Sequence, residues 1–288
     1  MEPKTAQRTD GPGPRGLGGI IGQTFILYVH NLPRMVAIAG IVTIPLIVAG
    51  LAAFGPEFMD AILGGSLDET PEPPPTSVMV SITAYGVLYT LGILAVTGAI
   101  AEAGISSLAG HSVSVGRAYN AALRRLPSIV GASLLTGLIA GVPLALAMVL
   151  VGFLSDSTTI ILFIVTVVLG IYLVVRLLFA PFAALLEQLG PAAAVMRSWT
   201  LVSDMWLRTF ALLFLIHLLL ALLQIAFQLF GIIVPGMEAF LVSLVVVPLT
   251  ICANLLIYLD LRVRKESYSA EHMKSDLEAL SGPAGPPV

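Results

Sequence analysis

Six long apolar runs govern what this chain can become, at about residues 35–54, 78–101, 128–154, 159–181, 209–234 and 239–259. Arg176 is the only Asp, Glu, Lys or Arg inside them. A helix of about twenty residues crosses a hydrocarbon core of ~30 Å, so each run is long enough to span a membrane. An open strand at that depth would leave backbone N–H and C=O groups unpaired, so the spans are expected to be helical. The fold class read from the runs is therefore all-α integral membrane, with six transmembrane helices. Composition agrees: the 288 residues are 57% hydrophobic and 11% charged, against about 25% charged in soluble domains. The net charge of −3 and the lack of a Lys/Arg block argue against a nucleic-acid partner.

Charge sets the expected orientation. Lys4, Arg8, Arg15 and Arg34 precede span 1, Arg117, Arg124 and Arg125 lie between spans 2 and 3, and Arg197 and Arg208 lie between spans 4 and 5. Arg262, Arg264, Lys265 and Lys274 follow span 6. The other three connections hold no Lys or Arg but carry Glu57, Asp60, Asp68, Glu69, Glu72, Asp156 and Glu238. This alternation predicts a multi-pass plasma-membrane protein with both termini cytoplasmic. The connection 55–77, with its acidic, Pro-rich stretch 68–75, reads as an extended outer loop.

A threefold repeat is visible in the same pattern. Val115, Tyr119, Ala122 and Leu126 recur at helical spacing before span 3, with Arg117, Asn120 and Arg124 between them. Val195, Trp199, Val202 and Trp206 repeat the spacing before span 5, and Ile21, Phe25, Tyr28 and Leu32 before span 1, where Ile26 interrupts the polar side. Each unit reads as an amphipathic helix followed by a transmembrane hairpin, over about 19–102, 111–187 and 190–266. Phe25, Tyr119, Trp199 and Trp206 are the expected interfacial anchors, since aromatic-bearing amphipathic helices lie at the lipid–water boundary. Membrane lipids are the expected partners, with an unidentified protein partner as a further expectation. The competing account makes these stretches extensions of the spans, packed on neighbouring helices. Residues 1–18 and 267–288 read as cytoplasmic tails on either side of a membrane domain 19–266.

The element Arg197-Ser198-Trp199 before span 5 and the segment Tyr258-Leu-Asp260-Leu-Arg262-Val-Arg264-Lys265-Glu266 after span 6 resemble the membrane domain found with some glycerophosphoryl diester phosphodiesterases. The resemblance covers about residues 17–270. Family members commonly carry a glycine after the glutamate, where this chain has Ser267. In the enzymes that name the family, catalysis belongs to a separate soluble barrel. The resemblance therefore implies a stand-alone membrane part without that barrel, and no enzymatic activity.

Motifs for chemistry are sparse. Gly11, Gly13 and Gly16 match a dinucleotide-binding spacing but lie in a Pro-containing stretch with no strand before them, so the match reads as accidental. His30, His111, His217 and His272 are scattered, so neither a metal nor a cofactor site is expected. His217, Gln224 and Gln228 share one face of span 5, with Thr250 and Asn254 in span 6. They form a candidate polar stripe for a transporter or lipid-moving pathway, set against simple hydrogen bonding between helices. Glu102 and Glu187 lie near Arg176 by depth, as a proton relay or, more simply, as ion pairs. Arg117, Arg124, Arg125, Arg262, Arg264 and Lys265 are placed to face anionic lipid or only to set topology. Gly137-x-x-x-Gly141 suits close helix packing.

Overall fold

All six apolar runs fold as helices, the conformation in which a backbone surrounded by hydrocarbon pairs its own polar groups. The computed structural model describes residues 16–64, 76–153, 157–234 and 237–282. Among these residues the elements are α1 (Leu17–His30), α2 (Leu32–Gly64), α3 (Thr76–Leu108), α4 (Val115–Phe153), α5 (Ser157–Leu177), α6 (Ala180–Leu186), α7 (Pro191–Val202), α8 (Trp206–Ile233), α9 (Met237–Leu241), α10 (Val247–Glu266) and α11 (Ala270–Ser281). A 3₁₀ turn, Ser203–Met205, joins α7 to α8, and a π-helical segment, Val242–Val246, joins α9 to α10. Six stretches are long and apolar enough to cross a membrane: Leu32–Gly50, Met79–Leu108, Val115–Leu146, Ile160–Leu186, Pro191–Ile233 and Met237–Glu266. The chain is all-α and multi-pass.

Several boundaries differ from the sequence reading. The helix of span 1 continues through Gly64 rather than yielding to a loop at 55, as Phe58, Met59, Ile62 and Leu63 recur at helical spacing. Residues 1–15, residues 65–75 with the acidic 68–75 stretch of the connection read as an outer loop, Asp156 and the chain after 282 lie outside the described residues. The amphipathic stretch before span 3 is not a separate helix, since α4 runs unbroken through Pro127 and Pro143. The stretch before span 5 forms α7, set off from α8 by the 3₁₀ turn, and the one before span 1 forms α1. α1 ends where Asn31 donates from Nδ2 to the Leu27 carbonyl (3.0 Å) and to the Ser107 hydroxyl (2.7 Å), capping a carbonyl that a continuing helix would have used.

Residues after 266 are not a tail throughout. Ser267 takes a left-handed conformation (φ 54°), the geometry that ends helices and favours glycine. The chain turns there into α11, capped reciprocally by Ser269 and His272. Tyr268, Met273, Leu277 and Leu280 are buried where α11 folds back on the bundle.

Packing is asymmetric along the bundle. The core gathers residues of Val96–Ile105 of α3 and of Ala118–Ala132 of α4, all of α6 but Pro181, and most of α10, close to the end that carries the arginines. Towards the far end, α4, α5 and α8 present Leu, Ile, Val and Phe side chains outwards. Hydrocarbon exacts no penalty for such exposure, so the far halves need no core of their own. This also corrects the reading of Gly137 and Gly141: a Cβ at either would meet nothing within 4 Å. Close approaches on α3 and α4 include instead Gly92 against Leu46, Gly104 against Leu255, and Gly131 against Pro191.

Pro248 shows how a buried helix tolerates an imino acid. Without an N–H it cannot bond the carbonyl four residues back, that of Leu244. The π-helical segment takes up the strain just before it, and the Tyr28 hydroxyl from α1 donates to the Leu244 oxygen at 2.9 Å. Burial pushes the Tyr28 phenol up to about 12, which keeps it a donor.

Candidate functional site

The arginine-bearing end, called the basic end below, is where polar side chains converge. Glu187 closes α6, and the chain then turns through Gln188 in a left-handed conformation (φ 55°). Its carboxylate accepts from Arg197 Nε at 2.6 Å and from the Tyr258 hydroxyl, with Arg262 Nε at 3.7 Å. Arg197 also pairs with Glu266. Arg262 reaches Glu266 at 3.5 Å and Asp276 at 2.7 Å, with its guanidinium carbon 4.0 Å from the Tyr268 ring. The Tyr268 hydroxyl donates to Asp276 at 2.7 Å, and burial followed by the Asp276 charge holds that phenol well above its ordinary range. Four helices, α6, α7, α10 and α11, are joined by this one network.

Two smaller groups flank it. Asp260, buried on α10, accepts from Arg208 at 2.6 Å and from Arg264 at 2.9 Å. Lys265 donates to Asp204 at 2.7 Å, and to Ser203 and the Thr200 carbonyl. On the other side Glu102, buried in α3, accepts from Arg117 and Ser106, both at 2.9 Å. Glu102 and Glu187 are thus ion-paired to Arg117, Arg197 and Arg262, and Arg176 bonds neither. Arg117, Arg262, Arg264 and Lys265 all hold carboxylates.

The three residues Arg197-Ser198-Trp199 each join α7 to something different. Arg197 makes the pairs above. Ser198 fills the break between α5 and α6, donating to the Arg176 carbonyl at 2.8 Å and accepting from the Phe179 N–H at 3.2 Å. Trp199 carries the Arg176 guanidinium over its ring, 4.4 Å from the centroid. Carboxylates engaged in this way act as acceptors for neighbouring helices, and the arrangement works as a clamp. The spacing of Asp260 to Arg264 and of Arg262 to Glu266 is a signal of pairing readable in the sequence. Nothing in the sequence points to Ser198 as a bridge.

The polar stripe does not assemble. His217 is exposed on α8 and bonds the Leu213 carbonyl of its own helix at 2.8 Å. Gln228 is exposed, Gln224 is half-buried, and Asn254 is buried with its Oδ1 unpartnered. No hydrogen bond joins any two of the four among the described residues. The aromatic anchors divide. Phe25 is exposed, whereas the Tyr119 hydroxyl donates to the Ile38 carbonyl. Trp206 lies stacked on Phe210 at 5.4 Å, and its Nε1 donates to the Tyr172 carbonyl at 3.4 Å.

An apolar groove of about 250 Å³ lies between α1, α8 and α10, lined by Phe25, Ile216, Leu220 and Leu249 among others. No protein-family model matches the chain, and no curated protein or solved structure matches it.

Proposed function

We propose that this chain is a non-catalytic, lipid-interacting scaffold or accessory domain of the plasma membrane, its basic end on the cytoplasmic side. One observation carries the reading. The 14-residue α1 is too short to span, yet it is apolar on two sides. Ile20, Thr24, Leu27 and Tyr28 pack inwards, while Phe25, Ile26 and Val29 point outwards, 47%, 69% and 62% exposed. A short helix with an apolar outer face is accommodated at shallow depth in acyl chains, not in water. Ile26, the interruption in the polar pattern, belongs to this outer face.

The orientation rests on the alternation of basic and acidic connections. Membership of the phosphodiesterase-associated membrane-domain family is part of the same proposal, supported by the meeting of the Arg197-Ser198-Trp199 and 258–266 segments at one clamp. The polar stripe lends a transport pathway no support, because His217 and Gln228 face outwards on α8.

Nitroxide labels at positions 26 and 29, in the full chain in bilayers, test the reading. Collision with oxygen should exceed collision with a water-soluble nickel chelate at both. A chelate-dominated signal would place α1 in water and sink the proposal.

A further inference from the structure

Arg176 is the one charged residue on α5, and like Arg124 and Arg125, which bond Asn120, Gln188 and the Gly282 carbonyl, it holds no carboxylate among the described residues. Arg117, Arg197, Arg208, Arg262 and Arg264 each hold a carboxylate, whereas Arg176 forms no ion pair among the described residues. A guanidinium offers five N–H donors in one plane. Among the described residues the one hydrogen bond made is from Nη1 to the Trp199 carbonyl, a long 3.2 Å, and Nε is buried without a partner. What surrounds the group is aromatic: Trp199 at 4.4 Å and Tyr172 at 5.1 Å from the guanidinium carbon, with Tyr172 set edge-on to Trp199. Ring faces attract the cation but do not satisfy its in-plane donors.

The neighbouring charges leave a surplus. Asp204 lies within electrostatic reach of Arg176, but its carboxylate is held by Lys265 at 2.7 Å. Arg176 and Lys265 against Asp204 leave this corner one positive charge in excess. The corner opens on apolar surface. Trp206, Phe210 and Phe214 stack down α8 at centroid spacings of 5.4 and 6.0 Å, with Phe214 59% and Leu207 71% exposed. Ile171 and Val174 flank it on α5. An unsatisfied cation, framed by Trp199 and Tyr172 and set at the head of an apolar face, is complementary to a molecule with a phosphate at one end and hydrocarbon at the other.

We propose that Arg176, with Trp199 and Tyr172, binds the phosphate of an anionic membrane lipid whose acyl chain lies along Phe210 and Phe214. The Nη donors not given to the Trp199 carbonyl meet the phosphate oxygens. This rests on the reading of the chain as lipid-interacting, but on different residues from those of α1.

The chain's two tryptophans, Trp199 and Trp206, both belong to this corner, so intrinsic fluorescence reports on it alone. The full chain is placed in phosphatidylcholine nanodiscs, and phosphatidylglycerol or phosphatidylcholine brominated on the tail is added. Brominated phosphatidylglycerol should half-quench at about five-fold lower mole fraction, the effect of one extra charge contact near a membrane surface. Arg176→Gln should abolish that preference while leaving quenching by brominated phosphatidylcholine unchanged, which also shows that the variant is folded. Arg176→Lys should keep part of it.

Equal quenching by both lipids in the wild type overturns the site while leaving the reading of α1 to its own labels, and this outcome needs no variant. A preference that survives Arg176→Gln overturns the role of Arg176. Preference lost on adding inorganic phosphate makes the occupant a soluble phosphate and overturns the lipid as its source. No quenching by either lipid overturns the site outright, and spin labels at 26 and 29 then decide the wider reading independently.

Discussion

Arg262 Nη1 lies 2.7 Å from Asp276 Oδ2, and through that pair the last spanning helix holds α11 against the bundle. Asp276→Ala leaves Arg262 with its weaker contacts to Glu187 and Glu266. The expected cost to α11 docking is therefore about 2 kcal/mol, below the ~3–5 kcal/mol of a fully orphaned buried charge. Amide exchange over residues 270–281 should quicken by roughly 30-fold, with α10 unchanged. Equal quickening in α10 would mean that Asp276 supports the bundle and not the dock.

Docking of α11 should also fail in alkali. The Tyr268 phenol is raised above its ordinary 10.0 by burial first and by Asp276 second. Deprotonation thus costs the docked state more than the free one, so docking is complete below about pH 10 and declines as pH rises beyond it. Tyr268→Phe removes the titrating group, and protection of α11 relative to the intrinsic exchange rate should then be flat across the same range.

Arg197 is held by Glu187 from α6 and Glu266 from α10. Arg197→Met leaves Glu187 to Tyr258 and Arg262, and Glu266 to Arg262 alone, at an expected cost of about 2 kcal/mol, below that of a fully orphaned buried charge. Arg197→Lys should recover little, because an ammonium cannot fork between two partners as a guanidinium does. Denaturation in mixed detergent micelles gives the readout, and full rescue by lysine would rule out the fork.

How much of this was legible in the sequence depends on the kind of interaction. Apolar runs of about twenty residues announced the helices, since length against bilayer thickness is a one-dimensional property. Pairing along α10 was legible too, because Asp260–Arg264 and Arg262–Glu266 are four apart on one helix. Pairing between helices was not: nothing local says that Glu187 meets Arg197 or that Asp276 meets Arg262. The stripe of His217, Gln224 and Gln228 failed for a related reason. Spacing gives a shared face but not which way that face points, and here His217 and Gln228 look outwards. Ser267 lay in between: its left-handed backbone favours glycine, yet nothing local in the sequence marks the turn into α11.

That backbone gives a prediction of its own. A non-glycine residue in the left-handed region carries a penalty of roughly 1–2 kcal/mol. Ser267→Gly should stabilise the α10–α11 junction by about 0.5–1 kcal/mol after the glycine's greater unfolded-state entropy is subtracted. Slower amide exchange in α11 is the measurement, and faster exchange would contradict the strain.

Two glycines on α4 should respond oppositely to alanine. At Gly131 a Cβ would lie 2.6 Å from Cγ of Pro191, a ring with no rotamer to escape into, so Gly131→Ala should cost about 1–3 kcal/mol. At Gly137 the space is open, and alanine should gain about 0.5–1 kcal/mol in a helix interior. Equal thermal shifts for the two variants would remove the contrast between the packed basic half of α4 and its exposed far half.

Tyr28 and Pro248 should be coupled although they share no bond. Tyr28→Phe withdraws the hydroxyl from the Leu244 carbonyl, leaving a buried acceptor that Pro248 cannot serve, at about 1–3 kcal/mol. Pro248→Ala supplies an N–H to the same carbonyl, so in that background the loss of the hydroxyl should cost markedly less. A double-mutant cycle measures the difference directly, with unfolding in mixed micelles as the readout. Strictly additive effects would mean that Tyr28 holds α1 in place by packing alone, and that the π-helical segment by itself meets the backbone deficit left by Pro248.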